Sequence, residues 1–93
     1  MRVHELIAIQ RDILLVLRGL DEPYGRAVQR ELERTQGREI LAARVYANLN
    51  DLVDLGLVEK GRKNRRKNEY TLTPAGREEV DRRIQWERQY VRS

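Results

Sequence analysis

The 93-residue sequence predicts a mainly α chain with one small β-hairpin. Three observations predict it. Apolar residues recur at helical spacing in four stretches. Two short stretches, 57–60 and 69–72, alternate and flank a loop of turn-forming residues. Gly or Pro punctuates each junction between them.

The first helix is expected over 6–18. Ile9, Ile13, Leu14, Val16 and Leu17 recur near helical spacing and Leu15 adds a second face. A helix apolar almost all round is buried on more than one side. Gly19 reads as its C′ stop, with Leu20 as the hydrophobic follower. Asp21 to Pro23 is a turn, and Pro23 suits the start of a second helix over 24–35, where a missing N–H costs nothing. Ala27, Val28 and Leu32 of that helix point inward. Residues 38–41 are too short for a helix and read as a minimal strand. In the third helix, 42–55, Val45, Leu49, Leu52 and Val53 form an i, i+4, i+7, i+8 stripe. Gly56-Leu57 repeats the earlier stop signal. The hairpin covers 57–72. Thr73 caps a fourth helix over 74–91, with Pro74 at its first position. Glu78–Arg82 and Glu79–Arg83 are i, i+4 pairs in the favourable order. This order of elements is the layout of a winged helix-turn-helix.

Charge is concentrated at one place. Six of the nine residues from Lys60 to Asn68 are cationic and none is acidic. The chain carries +4 overall, so the other 84 residues sum to −2. A cationic tip on a near-neutral body is the footprint of a polyanion binder, though a solvated loop has the same composition.

Composition also excludes functions. There is no Cys and one His, His4, so neither a thiolate metal site nor a thiol nucleophile is available. No Gly-rich phosphate loop is present, and the carboxylates pair with cations on helix surfaces. No enzyme, cofactor or metal is expected. The longest continuous apolar run, Ile13 to Leu17, is far short of the roughly 20 residues of a membrane span. With no secretory pattern at the N-terminus, the expectation is a soluble cytoplasmic protein.

Candidate binding residues follow from the layout. Recognition helices meet base edges mainly with their N-terminal residues. On the third helix, small Ala43 and Ala47 allow close approach. Arg44 fits guanine or a phosphate, and Asn48 fits adenine. Tyr46 reads equally as a packing residue or a phosphate contact. Tyr24, Gly25 and Arg26 open the second helix, whose free N–H groups suit a phosphate, or are plain capping chemistry. In the wing, Arg62, Lys63, Arg65, Arg66 and Lys67 suit backbone phosphates or a narrow minor groove. On the last helix, Val80, Ile84 and Val91 share a stripe beside Trp86 and Tyr90. Together with Ile9 and Ile13 of the first helix, they read as a dimer seam, the two helices serving as dimerisation helices, or else as intramolecular core with a frayed end.

Several of these segments resemble the PadR-like transcriptional regulators. The resemblance rests on Tyr24-Gly25 with Leu32, then Arg44-Val45-Tyr46-Ala47-Asn48-Leu49, then Leu52 and Leu55-Gly56-Leu57-Val58-Glu59. It continues in Tyr70-Thr71-Leu72-Thr73-Pro74-Ala75-Gly76-Arg77-Glu78, and spans about residues 8–80. Val45 stands where the family usually has Leu. Ala42 and Ala43 stand where polar residues are common, which leaves the recognition helix weakly capped. The resemblance implies a homodimeric, repressor-like binder of double-stranded DNA, often responsive to a ligand. In some members aromatic residues on the last helix line an inter-subunit pocket, and Trp86 is the candidate here for a small aromatic effector. Two other readings of the chain stay open at this stage. One is a winged helix used for protein–protein assembly; the other is a sequence-indifferent nucleic-acid binder.

Overall fold

The computed structural model describes residues 3–21, 23–62 and 68–91. A 3-10 turn, Val3–Glu5, precedes α1 (Ala8–Gly19), α2 (Gly25–Gln36) and α3 (Ala42–Asp54). The strands β1 (Val58–Arg62) and β2 (Asn68–Leu72) follow, then α4 (Pro74–Arg88). The mainly helical fold with one antiparallel hairpin is the expected winged helix-turn-helix.

One core joins all the elements. Ile13 and Leu14 of α1, Val28 and Leu32 of α2, and Val45, Leu49 and Leu52 of α3 are buried together. Leu57, Val58 and Tyr70 close it from the hairpin side, and Val80 from α4. The pairing Val58↔Leu72 through Arg62↔Asn68 sets the hairpin register. It puts Val58 and Tyr70 on the core face.

Residues 38–41 are not a strand. The backbone of Ile40 is already occupied: Glu33 Oε2 accepts from its N–H at 2.9 Å, and Gln29 Nε2 donates to its C=O at 2.9 Å. The chain beside β2 is instead the turn before α2. Tyr70 N donates to Pro23 O at 2.7 Å, and Tyr24 forms a single antiparallel bridge with Glu69.

Helix ends differ from expectation by one residue at both ends of α2 and at the end of α3, and more at α1 and α4. α1 starts at Ala8, because Ile7 is extended and Leu6 belongs to the preceding turn, where its C=O accepts from Arg11 at 2.6 Å. Gly19 is the last residue of α1, and Leu20 leaves the helix in an extended conformation. α4 stops at Arg88, three residues early, and a turn follows. The expected Glu79–Arg83 pair is also absent. Glu79 accepts from Val3 N at 3.0 Å and pairs with Arg82 at 3.3 Å, while Arg83 pairs with Glu87 at 3.1 Å. The expected Glu78–Arg82 pair forms at 2.9 Å.

The joint between α3, the hairpin and α4 is tightly built. Gly56 adopts φ +77, so its N–H reaches Val53 O and the N–H of Leu57 reaches Leu52 O, both at 3.0 Å. This double closure is a Schellman stop. Thr73 then ties three things together. Its Oγ1 donates to Gly56 O at 2.7 Å and accepts from Gly76 N at 3.0 Å, and its N–H donates to Leu57 O at 3.1 Å. α4 consequently starts hard against Leu57. A Cβ at residue 76 would lie 2.0 Å from Leu57 O.

Gly76→Ala should therefore force backbone movement and cost about 1–3 kcal/mol or more. Gly19→Ala meets nothing within 4 Å and should be neutral or stabilising by up to about 1 kcal/mol. Thermal or denaturant unfolding of both variants checks the contrast.

Candidate nucleic-acid interface

Three elements present the candidate surface: the start of α2, the exposed side of α3, and the hairpin. The turn between α2 and α3 is fixed by the two bonds on Ile40. Arg26 extends that clasp, donating from Nη1 to Gln29 Oε1 at 3.2 Å. Leu41 occupies the N-cap of α3 with φ −60, ψ 133 and makes no side-chain capping bond. Its carbonyl accepts from the N–H groups of Arg44 and Val45 at 3.0 and 3.3 Å.

Ala43, Arg44 and Ala47 are exposed along α3, as the sequence predicts. Asn50 continues the same face, at i+7 from Ala43. Sequence reading missed it, although its helical spacing from Ala43 and Ala47 was the available signal. Asp51 and Asp54 complete the exposed side towards the C-terminus.

Asn48 is corrected. It is only 9% exposed and points into the protein. Its Oδ1 accepts from Gln10 Nε2 at 3.2 Å, and its Nδ2 donates to Arg44 O at 2.8 Å. Val45, Asn48, Leu49 and Leu52 are i, i+3, i+4, i+7, so Asn48 lies within the core stripe itself. Its amide ties α3 to α1.

Tyr46 takes the packing reading. It is half-buried, and its ring lies where a side chain at residue 25 would have to go, with ring carbon Cε1 2.3 Å from a Cβ built there. That is why Gly follows Tyr at the start of α2. The Tyr46 and Tyr70 ring centroids are 6.4 Å apart, with planes tilted by 59°. Burial raises the Tyr70 phenol above its ordinary pKa, and neighbouring Tyr46 adds to the effect. Of the three residues predicted at the start of α2, Gly25 is thus enclosed and Tyr24 is half-buried. Arg26 alone is exposed.

In the wing, Arg62 ends β1 opposite Asn68, and Lys60 extends its ammonium to 5.9 Å from the Tyr70 ring centroid. Lys63, Arg65, Arg66 and Lys67 lie outside the described residues.

The predicted dimer residues divide. Ile9, Ile13 and Val80 are buried in the protomer core and present no surface to a partner. This corrects the expectation for them: Ile9 and Ile13 are consumed by packing within the protomer, while Leu15 on the second face of α1 stays exposed. Ile84 is partly buried against the core, while Trp86, Tyr90 and Val91 are exposed. Trp86 stacks with Tyr90 at 5.3 Å between centroids and with His4 at 5.6 Å, and Arg83 lies 4.2 Å over its ring. A cleft of about 140 Å³ between α1 and α4 is lined by Leu15, Val80, Ile84 and neighbouring charged residues, but Trp86 is outside its lining. Among the described residues no helix is long and apolar enough to cross a membrane.

A three-helix core, a clasped turn, an outward-facing third helix and a cation-tipped hairpin define a winged helix-turn-helix of the DNA-binding regulator class. Residues 13–82 match the Transcriptional regulator PadR-like family, and this chain belongs to it. It is a DNA-binding transcription regulator. The complex structure of hsRosR-SG is 44% identical, with TM-score 0.87 over 94% of this chain and 77% of that one. The structure of H. salinarum RosR grown from NaBr is 46% identical, with TM-score 0.82 over 88% and 74%. A crystal structure of AF1382 from Archaeoglobus fulgidus shares the fold at 12% identity, with TM-score 0.74 over 97% and 96%. A search of curated proteins gives no match.

Asn48→Ala should lower the unfolding free energy by about 1–3 kcal/mol, because it leaves Gln10 without its acceptor and removes a buried amide. Chemical denaturation measures this without any ligand.

Proposed function

We propose that this chain is a sequence-specific regulator that reads double-stranded DNA as a homodimer. The third helix enters the major groove and the basic wing holds the backbone or the minor groove. The observation that carries the reading is the exposed face of α3. Its first two turns offer Ala43, Arg44 and Ala47, small or cationic, at the end where such helices meet base edges. Arg44 has no carboxylate partner among the described residues, so its guanidinium is available for guanine or phosphate. Arg26 at the start of α2 is placed for a phosphate. The wing cations Arg62, Lys63, Arg65, Arg66 and Lys67 supply sequence-independent attraction.

The dimer reading rests on the exposed aromatic end of α4. Trp86, Tyr90 and Val91 form an apolar surface that a second copy would bury across a twofold axis. That axis would set two α3 helices about 34–36 Å apart, so the site would be an inverted repeat. Such a dimer represses by occupying its site. A small aromatic effector would seat against Trp86 at the seam, a reading that stands or falls with the dimer.

Selection from a pool of random duplexes, followed by sequencing, tests the central reading. An inverted repeat should emerge. Arg44→Ala should cost about 1–3 kcal/mol on the selected duplex and less on random DNA. If no sequence is enriched, the protein is a sequence-indifferent binder. The Arg65→Ala, Arg66→Ala double variant should weaken all duplexes alike. It should also flatten a log–log salt slope to which five wing cations contribute about −4 to −5.

Assembly is checked by sedimentation. The native chain should run as a dimer at micromolar concentration, and the Tyr90→Asp, Val91→Asp double variant as a monomer with an unchanged helical signal. A monomeric native chain would remove the seam and the effector site together.

A further inference from the structure

We propose that Leu41, at the N-cap of α3, together with Ala43 and Ala47 on its exposed face, reads thymine methyl groups in the major groove. Each half-site then requires thymine facing the start of α3. This rests on the sequence-specific reading above and names the base chemistry that reading takes.

Leu41 is 78% exposed, more than any other large apolar side chain described. Its exposure is built in. Ile40, one residue earlier, is buried, with its N–H and C=O held by Glu33 and Gln29. Leu41 continues in an extended conformation, where successive side chains point to opposite sides, so burying Ile40 drives Leu41 outward. Its carbonyl is committed to the first turn of α3, so it cannot swing back without breaking that turn.

The residue also stands where an oxygen-bearing side chain is the favoured choice. Ser, Thr, Asp or Asn at an N-cap accepts from the first free N–H groups of a helix. Leu41 forgoes that and leaves a solvated isobutyl group. The solvated isobutyl group costs stability in the unbound chain, and that cost is relieved when an apolar group covers Leu41.

The identity of that group follows from the neighbours. The exposed side chains on the first two turns of α3 are Ala43, Arg44 and Ala47. They provide no second large apolar group, so the patch is too small for a protein partner. Two alanine methyls and one isobutyl group beside a guanidinium instead match a duplex edge. In the major groove the C5-methyl of thymine is the one apolar feature that a base pair presents. Arg44 adds a guanine or phosphate contact on the same face.

The test uses the full chain and the duplex selected above. Each thymine is replaced in turn by deoxyuridine, which removes only the methyl group. At one or more thymines per half-site the affinity should fall roughly fourfold for each buried methyl. With Leu41→Ala, binding to the thymine duplex should weaken and the thymine-to-uracil ratio at that position should fall towards one. Affinity for random DNA should fall less. Leu41 is a surface residue, and circular dichroism should show the variant folded.

Uracil duplexes that bind as tightly as thymine at every position would overturn the proposal while leaving sequence-specific binding intact. So would a Leu41→Ala variant that keeps the native ratio. A selection with no enriched sequence would instead overturn the sequence-specific reading itself, and this inference with it.

Discussion

The placement of the third helix relative to the wing depends on Tyr46 lying over Gly25. The ring fills the space a side chain at residue 25 would need and stacks at an angle on Tyr70. One residue of α3 thereby touches the start of α2 and the middle of β2. Tyr70 N bonds back to Pro23 O, which closes the circuit through the backbone. A binding surface built from three separate elements needs such a junction, because a shift of about 1 Å in a supporting element is enough to spoil a site.

A second constraint acts at the other end of the surface. Gln29 and Glu33 hold both polar groups of the Ile40 backbone, and Arg26 bonds to Gln29. Arg26, the cation proposed for phosphate contact, is thus one residue away from the clasp on Ile40 that aims α3. Asn48 and Gln10 add a third tie, from α3 to α1. Among the described residues no buried side-chain nitrogen or oxygen lacks a partner. These internal bonds fix orientation at little net gain, since each is worth only about 0.5–1.5 kcal/mol.

What the sequence revealed and what it hid follow from distance along the chain. The stripes of α1, α2 and α3 and the caps at Thr73 and Gly56 depend on neighbours within a few residues, so periodicity exposed them. The Tyr-Gly and L-T-x-x-G segments were visible as family patterns, but their cause was not. Gly25 is needed because of Tyr46, and Gly76 because of the Leu57 carbonyl, contacts between residues about 20 positions apart. Asn48 was misread because its side chain is polar although its position is in the core stripe. Residues 38–41 are too short for a helix and read as a minimal strand, yet the backbone groups of Ile40 bond to side chains of α2 rather than to another strand. The apolar surplus of α1 was real, but Ile9 and Ile13 are used up within one protomer. The exposed end of α4 therefore carries the dimer reading without them.

The charges along α3 have a consequence for approach to a polyanion. Four arginines elsewhere are paired with carboxylates: Arg18 with Asp81, Arg34 with Glu31, Arg82 with Glu78 and Glu79, and Arg83 with Glu87. Exposed pairs of this kind contribute little stability, but they cancel the field of those cations. On the candidate surface, Arg26 and Arg44 have no carboxylate partner among the described residues. Asp51 and Asp54 sit at the opposite end of α3, where carboxylates oppose the helix dipole and cost stability. Their cost is intelligible if they set direction. A helix that is positive at its start and negative at its end is attracted to phosphate end-first. In the proposed reading, the acidic end is pushed away from the duplex while the start, with Leu41 and Arg44, is drawn in. Within about one Debye length, ~8 Å at physiological salt, that asymmetry acts before any base contact forms. The carboxylates thus discourage a side-on approach in which the small face of α3 would never reach the groove.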